Sequence, residues 1–215
     1  MERRLDRITV DRGADRLEQD LESYRELALE LGASQAKVIG VQDIVVDDRV
    51  SLKCQIPRCF GYGACAHCPP HAMKPSELRS HLTQYRRAVF FIKDVAPAVI
   101  VRDRSTIKER IEVYQDLFKI VTEVESRAFY DGHYLAFGFG AGSCRHTYCS
   151  QHEGCQALEG KKCRFSLLAR PSMEAVGIDV YQMVARAGWE MYPIGSNAKA
   201  DEVPKGTLAG IVIVQ

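Results

Sequence analysis

Apolar positions recur along this chain in two rhythms, and those rhythms predict its elements in order. Across residues 14–31, Leu17, Leu21, Tyr24, Ala28 and Leu31 fall on one helical face, and Gly32 stops the run. Val38, Ile39, Val41, Ile44, Val45 and Val46 then read as buried strand. Pro75-Ser76 opens a short helix expected to reach about Arg87, and residues 88–92 (AVFFI) form a second buried strand. Ser105 is a candidate cap for a long helix carrying Ile107, Ile111, Tyr114, Phe118, Val121 and Ala128. Residues 134–139 read as strand. Pro171-Ser172 opens another helix, with Met173, Val176, Val180, Val184 and Ala187 on one face and Gly188 closing it. Residues 208–214 (LAGIVIV) are a last buried strand. Strands separated by helices predict an α/β fold, with a mixed or largely parallel sheet and helices packed on it.

The pattern repeats. Each half runs helix, strand, cysteine-rich segment, helix, strand. Lys74-Pro75-Ser76 follows the first cysteine segment, and Arg170-Pro171-Ser172 follows the second. This predicts a single metal-binding domain over residues 1–215, built by duplication of a strand–cysteine loop–helix unit, with halves at about 14–95 and 105–215.

Composition narrows the chemistry. A chain of 215 residues can build a hydrophobic core without covalent staples. The formal net charge of +1 offers no basic face for nucleic acid. No stretch approaches the roughly 20 apolar residues of a membrane span, and the charged start carries no secretory signal. The expected location is cytoplasmic, where thiols stay reduced and clustered cysteines are more often metal ligands than disulfides.

All eight cysteines lie in two groups with a shared spacing. The first is Cys54-x4-Cys59-x5-Cys65-x2-Cys68 and the second Cys144-x4-Cys149-x5-Cys155-x7-Cys163; residues 69–143 contain none. Each group supplies four thiolates for a metal site. Zinc commonly takes tight Cys-x2-4-Cys pairs, which Cys65/Cys68 and Cys54/Cys59 can form, but the second group has gaps of five and seven. Iron–sulfur clusters accept thiolates from looser loops, often with proline after a ligand, as in Cys68-Pro69-Pro70. The spacing favours two [4Fe-4S] clusters, with zinc as the alternative and disulfides as a third reading.

The segment Cys54-x4-Cys59-x2-Tyr62-Gly63-x4-Cys68-Pro69-Pro70 resembles the front signature of a prokaryotic family of small cysteine-rich proteins described as predicted metal-binding, a domain of unknown function. The rear stretch is similar to that family's second signature: glycines before Cys144, then Cys163-Arg164 and Ala169-Arg170-Pro171-Ser172-Met173-Glu174-Ala175-x-Gly177-Ile178-Asp179-Val180. The resemblance spans about residues 35–195. It implies metal binding, with iron–sulfur the expected form and no settled reaction. In two respects the chain departs from it. The front signature needs only Cys54, Cys59 and Cys68, which leaves Cys65 as an extra, and the rear cysteines are more widely spaced. If Cys65 is a ligand, as its Cys-x2-Cys spacing with Cys68 suggests, the front cluster is closed. If not, one iron is open to act as a Lewis acid or hold a small molecule.

Other residues near the cysteines carry weaker expectations. His67, His71, His146 and His152 are expected as exposed loop side chains, since four thiolates already complete each site. Arg58, Arg145, Arg164 and Arg170 flank ligands and can offset thiolate charge. Tyr62 and Tyr148 can shield metal from solvent. Gly138, Gly140 and Gly142 do not match a dinucleotide fingerprint; close approach of backbone to a cluster is the expected reason for them. Glu174 and Asp179 read as helix-surface or capping residues. No catalytic triad order, phosphate loop or His-Glu-x-x-His motif is present. Three functional readings follow: a two-cluster redox protein exchanging electrons with a partner protein, an enzyme using an open iron for sulfur or small-molecule chemistry, and a structural zinc module that binds another protein.

Overall fold

The computed structural model describes Ile8 and residues 13–101, 106–195 and 197–215. Four strands form one sheet: β1 (Gln35–Gly40), β2 (Arg87–Val95), β3 (Phe137–Phe139) and β4 (Gly206–Ile213), in the order β1-β2-β4-β3. Among the described residues, seven helices surround it: α1 (Ala14–Glu30), α2 (Asp48–Leu52), α3 (Pro75–Leu82), α4 (Pro97–Ile100), α5 (Ile107–Tyr130), α6 (Cys144–Thr147) and α7 (Val180–Arg186). Among the described residues, no helix is long and apolar enough to cross a membrane.

All three strand pairings are antiparallel, which corrects the expectation of a mixed or largely parallel sheet. The sequence misled for a physical reason. β2 and β4 lie in the middle of the sheet and are covered on both faces, so their apolar residues run without a break, as they do in parallel strands. Ala88, Phe90 and Ile92, with Ala209, Ile211 and Ile213, pack beneath α3, α7 and Met173. Val89, Phe91, Leu208 and Val212 face α1 and α5 through Leu21, Tyr24, Leu117 and Val121. The result is a helix–sheet–helix stack with an apolar core on each side.

Several elements are shorter than their patterns predict. β1 ends at Gly40, and Val41–Asp43 is a single 3₁₀ turn; Val46 returns only as an isolated bridge to Ile178. The helix opened by Pro75 ends at Leu82 rather than near Arg87. The helix expected from Pro171-Ser172 is broken in two. Glu174–Val176 forms one 3₁₀ turn, Gly177 takes a left-handed φ of 89°, and α7 restarts with Asp179 capping the Gln182 amide at 3.0 Å. A side chain at Gly177 would also meet the Pro75 ring at 2.6 Å, so this break lets the second cysteine half pack against α3. Ser105, the candidate cap, lies outside the described residues.

The sheet order fixes where the cysteine segments begin. Because β1 and β3 run in opposite directions, their C-terminal ends lie at opposite ends of the sheet. The segment after β1 travels across one face, pairing at Val46–Ile178, before it meets the segment that follows β3.

Candidate metal centre

The front cysteine loop hangs from α2, whose first turn is capped by Asp47 accepting from the Arg49 amide at 2.8 Å. Backbone bonds then fold it on itself. The Cys54 amide donates to Ser51, Cys59 to the Cys54 carbonyl, Gly63 to Pro69 and Cys68 to Cys65. These turns bring Cys54 and Cys59 to one loop closure and Cys65 and Cys68 to another. The Gly61 amide donates to Cys59 Sγ at 3.4 Å, the kind of backbone donor that stabilises a thiolate.

The rear loop begins at Cys144, the first residue of α6. From Tyr148 to Arg170 it has no regular helix or strand and is held by side chains. Arg145 donates to the Cys149 carbonyl and, at 2.8 Å, to that of His152. Arg164 reaches the carbonyls of Gly154 and Glu153 at 3.4 and 3.5 Å. Tyr148 stacks on Phe165 at 5.3 Å between ring centres and tilts onto Phe118 of α5 at 5.6 Å. Arg170 closes the loop with a two-armed ion pair to Glu125, at 2.9 and 2.6 Å. Glu125 also accepts from the Gly138 amide at 2.7 Å.

The two loops meet. Cys144 Sγ lies 3.7 Å from Cys65 Sγ and 3.6 Å from His67 Nδ1. Ser143 Oγ is 3.3 Å from Cys68 Sγ and 3.9 Å from Cys65 Sγ. Cys65, Cys68 and Cys144 form a buried knot with Phe118 and Ala169, and Cys65 is only 1% exposed. Hydrogen bonds from Cys144 and Cys68 pull the Cys65 pKa down, and the same bonds push those of Cys144 and Cys68 up. One sulfur anion is therefore accommodated here, while ionising all three needs a cation to compensate.

The remaining thiols divide by surroundings. Cys54, Cys59 and Cys68 line a partly open cavity of about 370 Å³, together with Tyr62, Tyr114, Ser143, Ser172, Glu174, Tyr181 and Tyr192; Cys65 does not. Burial, the Cys59 thiol and Glu174 push the Cys54 pKa up to about 11. Cys149, Cys155 and Cys163 are half-buried in the rear loop. Cys149 senses both of the others; burial and Cys163 raise its pKa, against Arg164 and Arg145. All eight are free thiols.

Neighbours expected around the metal fall into new places. His71, His146 and His152 are exposed, as expected, but His67 is half-buried. His67 borders Cys144, and His146 packs edge-on against Phe60 at 4.5 Å; desolvation lowers both pKa values and favours neutral rings. Arg145, Arg164 and Arg170 brace loop carbonyls or Glu125, and Arg58 lies over the Tyr62 ring at 5.2 Å. The glycines in and after β3 are packed against α5. A side chain at Gly138 would strike Val121, one at Gly140 would press on Phe118 at 3.1 Å, and one at Gly142 would meet Tyr114 at 2.6 Å. Asp179 is the cap expected of it, whereas Glu174 faces the cavity. Sequence reasoning missed Glu174 because the helix pattern ran through it; the Gly177 that breaks that helix was the available signal. Ser143 was also missed, although it precedes Cys144.

The donor set fits metal: soft thiols from two loops, buried in part, with a backbone donor at Cys59 and arginines beside Cys149. Among the described residues, no three His, Cys, Asp or Glu side chains converge tightly enough to hold a single ion. Fold and thiols together define a cysteine-rich, metal-binding α/β domain. The chain belongs to the family described as predicted metal-binding protein (DUF2284), which it matches over residues 37–214. No curated protein and no solved structure matches it.

Proposed function

We propose that this is an iron–sulfur redox protein with two unequal sites, each unit of a duplicated chain contributing one. Cys144, Cys149, Cys155 and Cys163 hold a closed [4Fe-4S] cluster. Cys54, Cys59 and Cys68 hold a second whose remaining iron faces the cavity. The observation that carries this reading is that these three front thiols line the cavity while Cys65 turns away to Cys144. When bound, such clusters supply one-electron transfer and, at an iron without a thiolate, a Lewis-acid position. The protein's own contributions are distinct. The Gly61 amide and the neighbouring arginines favour thiolate charge. Tyr62, Tyr114 and Tyr181 limit water around the front thiols. The knot of Cys65, Cys68, Cys144 and Ser143 brings the two sites into contact, which suits electron exchange between them and with a partner protein.

Anaerobically purified protein is expected to be brown, with about eight irons and eight acid-labile sulfides per chain. Cys65→Ser is expected to keep that iron content and the front cluster's spectrum, whereas Cys54→Ser loses about half the iron. Loss of the front cluster in Cys65→Ser would instead favour a closed, purely electron-transferring site, with Cys65 as its fourth ligand. A colourless protein with stoichiometric zinc would overturn the iron reading in favour of a structural zinc module.

A further inference from the structure

The cavity beside the front cysteines is unevenly charged. Among the described residues, Glu174 is its one lining carboxylate, and no lysine, arginine or histidine lines it. No ion pair to Glu174 forms among the described residues; its hydrogen-bonding neighbour is the Ser172 hydroxyl. Cys54 and Tyr181 line the same chamber as Glu174, and the carboxyl helps to raise the pKa of each. Besides hydroxyls and the front thiols, much of the wall is aromatic and apolar: Phe60, Tyr62, Tyr114, Tyr181, Met191 and Tyr192. A volume of about 370 Å³ falls within the range of small-molecule sites.

A carboxyl group ringed by tyrosines, with no cation beside it among the described residues, is an arrangement that recognises a positively charged organic group. The carboxylate supplies a charge-assisted hydrogen bond, and the ring faces supply attraction to the cation. Burial raises the Glu174 pKa, so a bound ammonium offsets the charge that the chamber by itself disfavours, whereas a carboxylate or phosphate ligand would add like charge to it. We propose that this cavity binds a small organic ammonium ion with an apolar or aromatic body, its charged end on Glu174. The proposal rests on the reading above only in making this chamber the reactive one; the Glu174 and tyrosine lining is the same whatever the thiols hold. A neighbouring groove of about 750 Å³ shares Phe60, Tyr114, Gly142 and Ser143 with the chamber and adds Arg110 and His146. The selective negative charge thus belongs to the inner chamber alone, which sets the ligand's orientation with its ammonium inward.

The test uses full-length, anaerobically purified protein and three probes of one shape: benzylamine, benzyl alcohol and benzoate. Calorimetric titration and ligand-observed NMR measure binding, and iron and sulfide are assayed on the same samples. Benzylamine is expected to bind at least about tenfold more tightly than benzyl alcohol, and benzoate more weakly than either. Glu174→Gln is expected to remove that preference while leaving benzyl alcohol affinity unchanged, and Glu174→Asp to retain it in part. Equal affinities in the unmodified protein, tighter benzoate binding, or a preference that survives Glu174→Gln overturns the proposal. Amine selectivity in colourless, iron-free protein supports it while sinking the iron–sulfur reading. Iron-replete protein without selectivity does the reverse.

Discussion

The front and rear cysteine loops share a spacing but not a way of being held. The front loop is framed by α2 and α3, closed on itself by backbone bonds, and set against a cavity. The rear loop is an excursion of more than twenty residues whose shape depends on arginine side chains reaching carbonyls and on Tyr148 stacking over Phe165. The same ligand rhythm therefore serves two tasks. A chain braced by helices can keep a chamber open beside its thiols. A chain braced mainly by its own side chains gains most from the metal it wraps.

That contrast can be broken in steps. The largest expected effect comes from stripping metal with a chelator under reducing, anaerobic conditions. Hydrogen exchange should then rise by orders of magnitude in residues 149–168 and much less in residues 75–95; a uniform rise would erase the distinction. Phe118→Ala comes next, because Phe118 supports Cys65, Cys68, Cys144 and Tyr148 at once. It should cost about 3–5 kcal/mol in denaturant unfolding and loosen both loops. Replacing Glu125 by Gln takes the ionic partner from Arg170 and should cost about 2–3 kcal/mol, with the exchange increase confined to the rear loop. Gly177→Ala should cost about 1–3 kcal/mol, mostly at the α3 side, since it opposes both a left-handed φ and the Pro75 ring. The smallest effect is a pH slope in metal-free protein. The folded state holds the Cys54 proton up to about pH 11, whereas an unfolded thiol releases it near the ordinary thiol value. The Cys54 contribution to stability is therefore complete below that ordinary value and lost as pH rises through the folded one. Urea midpoints measured across this window should decline, and Cys54→Ser should flatten the decline.

Much of this was legible in the chain. Leu21, Tyr24 and Ala28 on α1, and Phe118, Val121 and Ala128 on α5, face the core as their spacing predicts. The cysteine groups mark the two loops. Strand direction was not legible, because burial on both faces gives β2 and β4 the same unbroken apolar run in either orientation. Nor was the division of labour among the thiols. Cys65-x2-Cys68 reads as a local chelate, yet Cys65 lies against Cys144 from the other group, a contact that no local spacing encodes. Glu174 was hidden by a helical rhythm that the left-handed turn at Gly177 interrupts.

The unequal framing also sets an order of assembly. The rear cysteines fall within residues 144–163, so they come together in the chain as soon as that stretch is synthesised. The cavity walls come from the loop after β1, from α5, from α7 and from Leu208 and Ala209 of β4, which is made after both cysteine loops. The front cysteines, made before the rear ones, thus find their final surroundings after them, and until β4 docks they are thiols without a chamber.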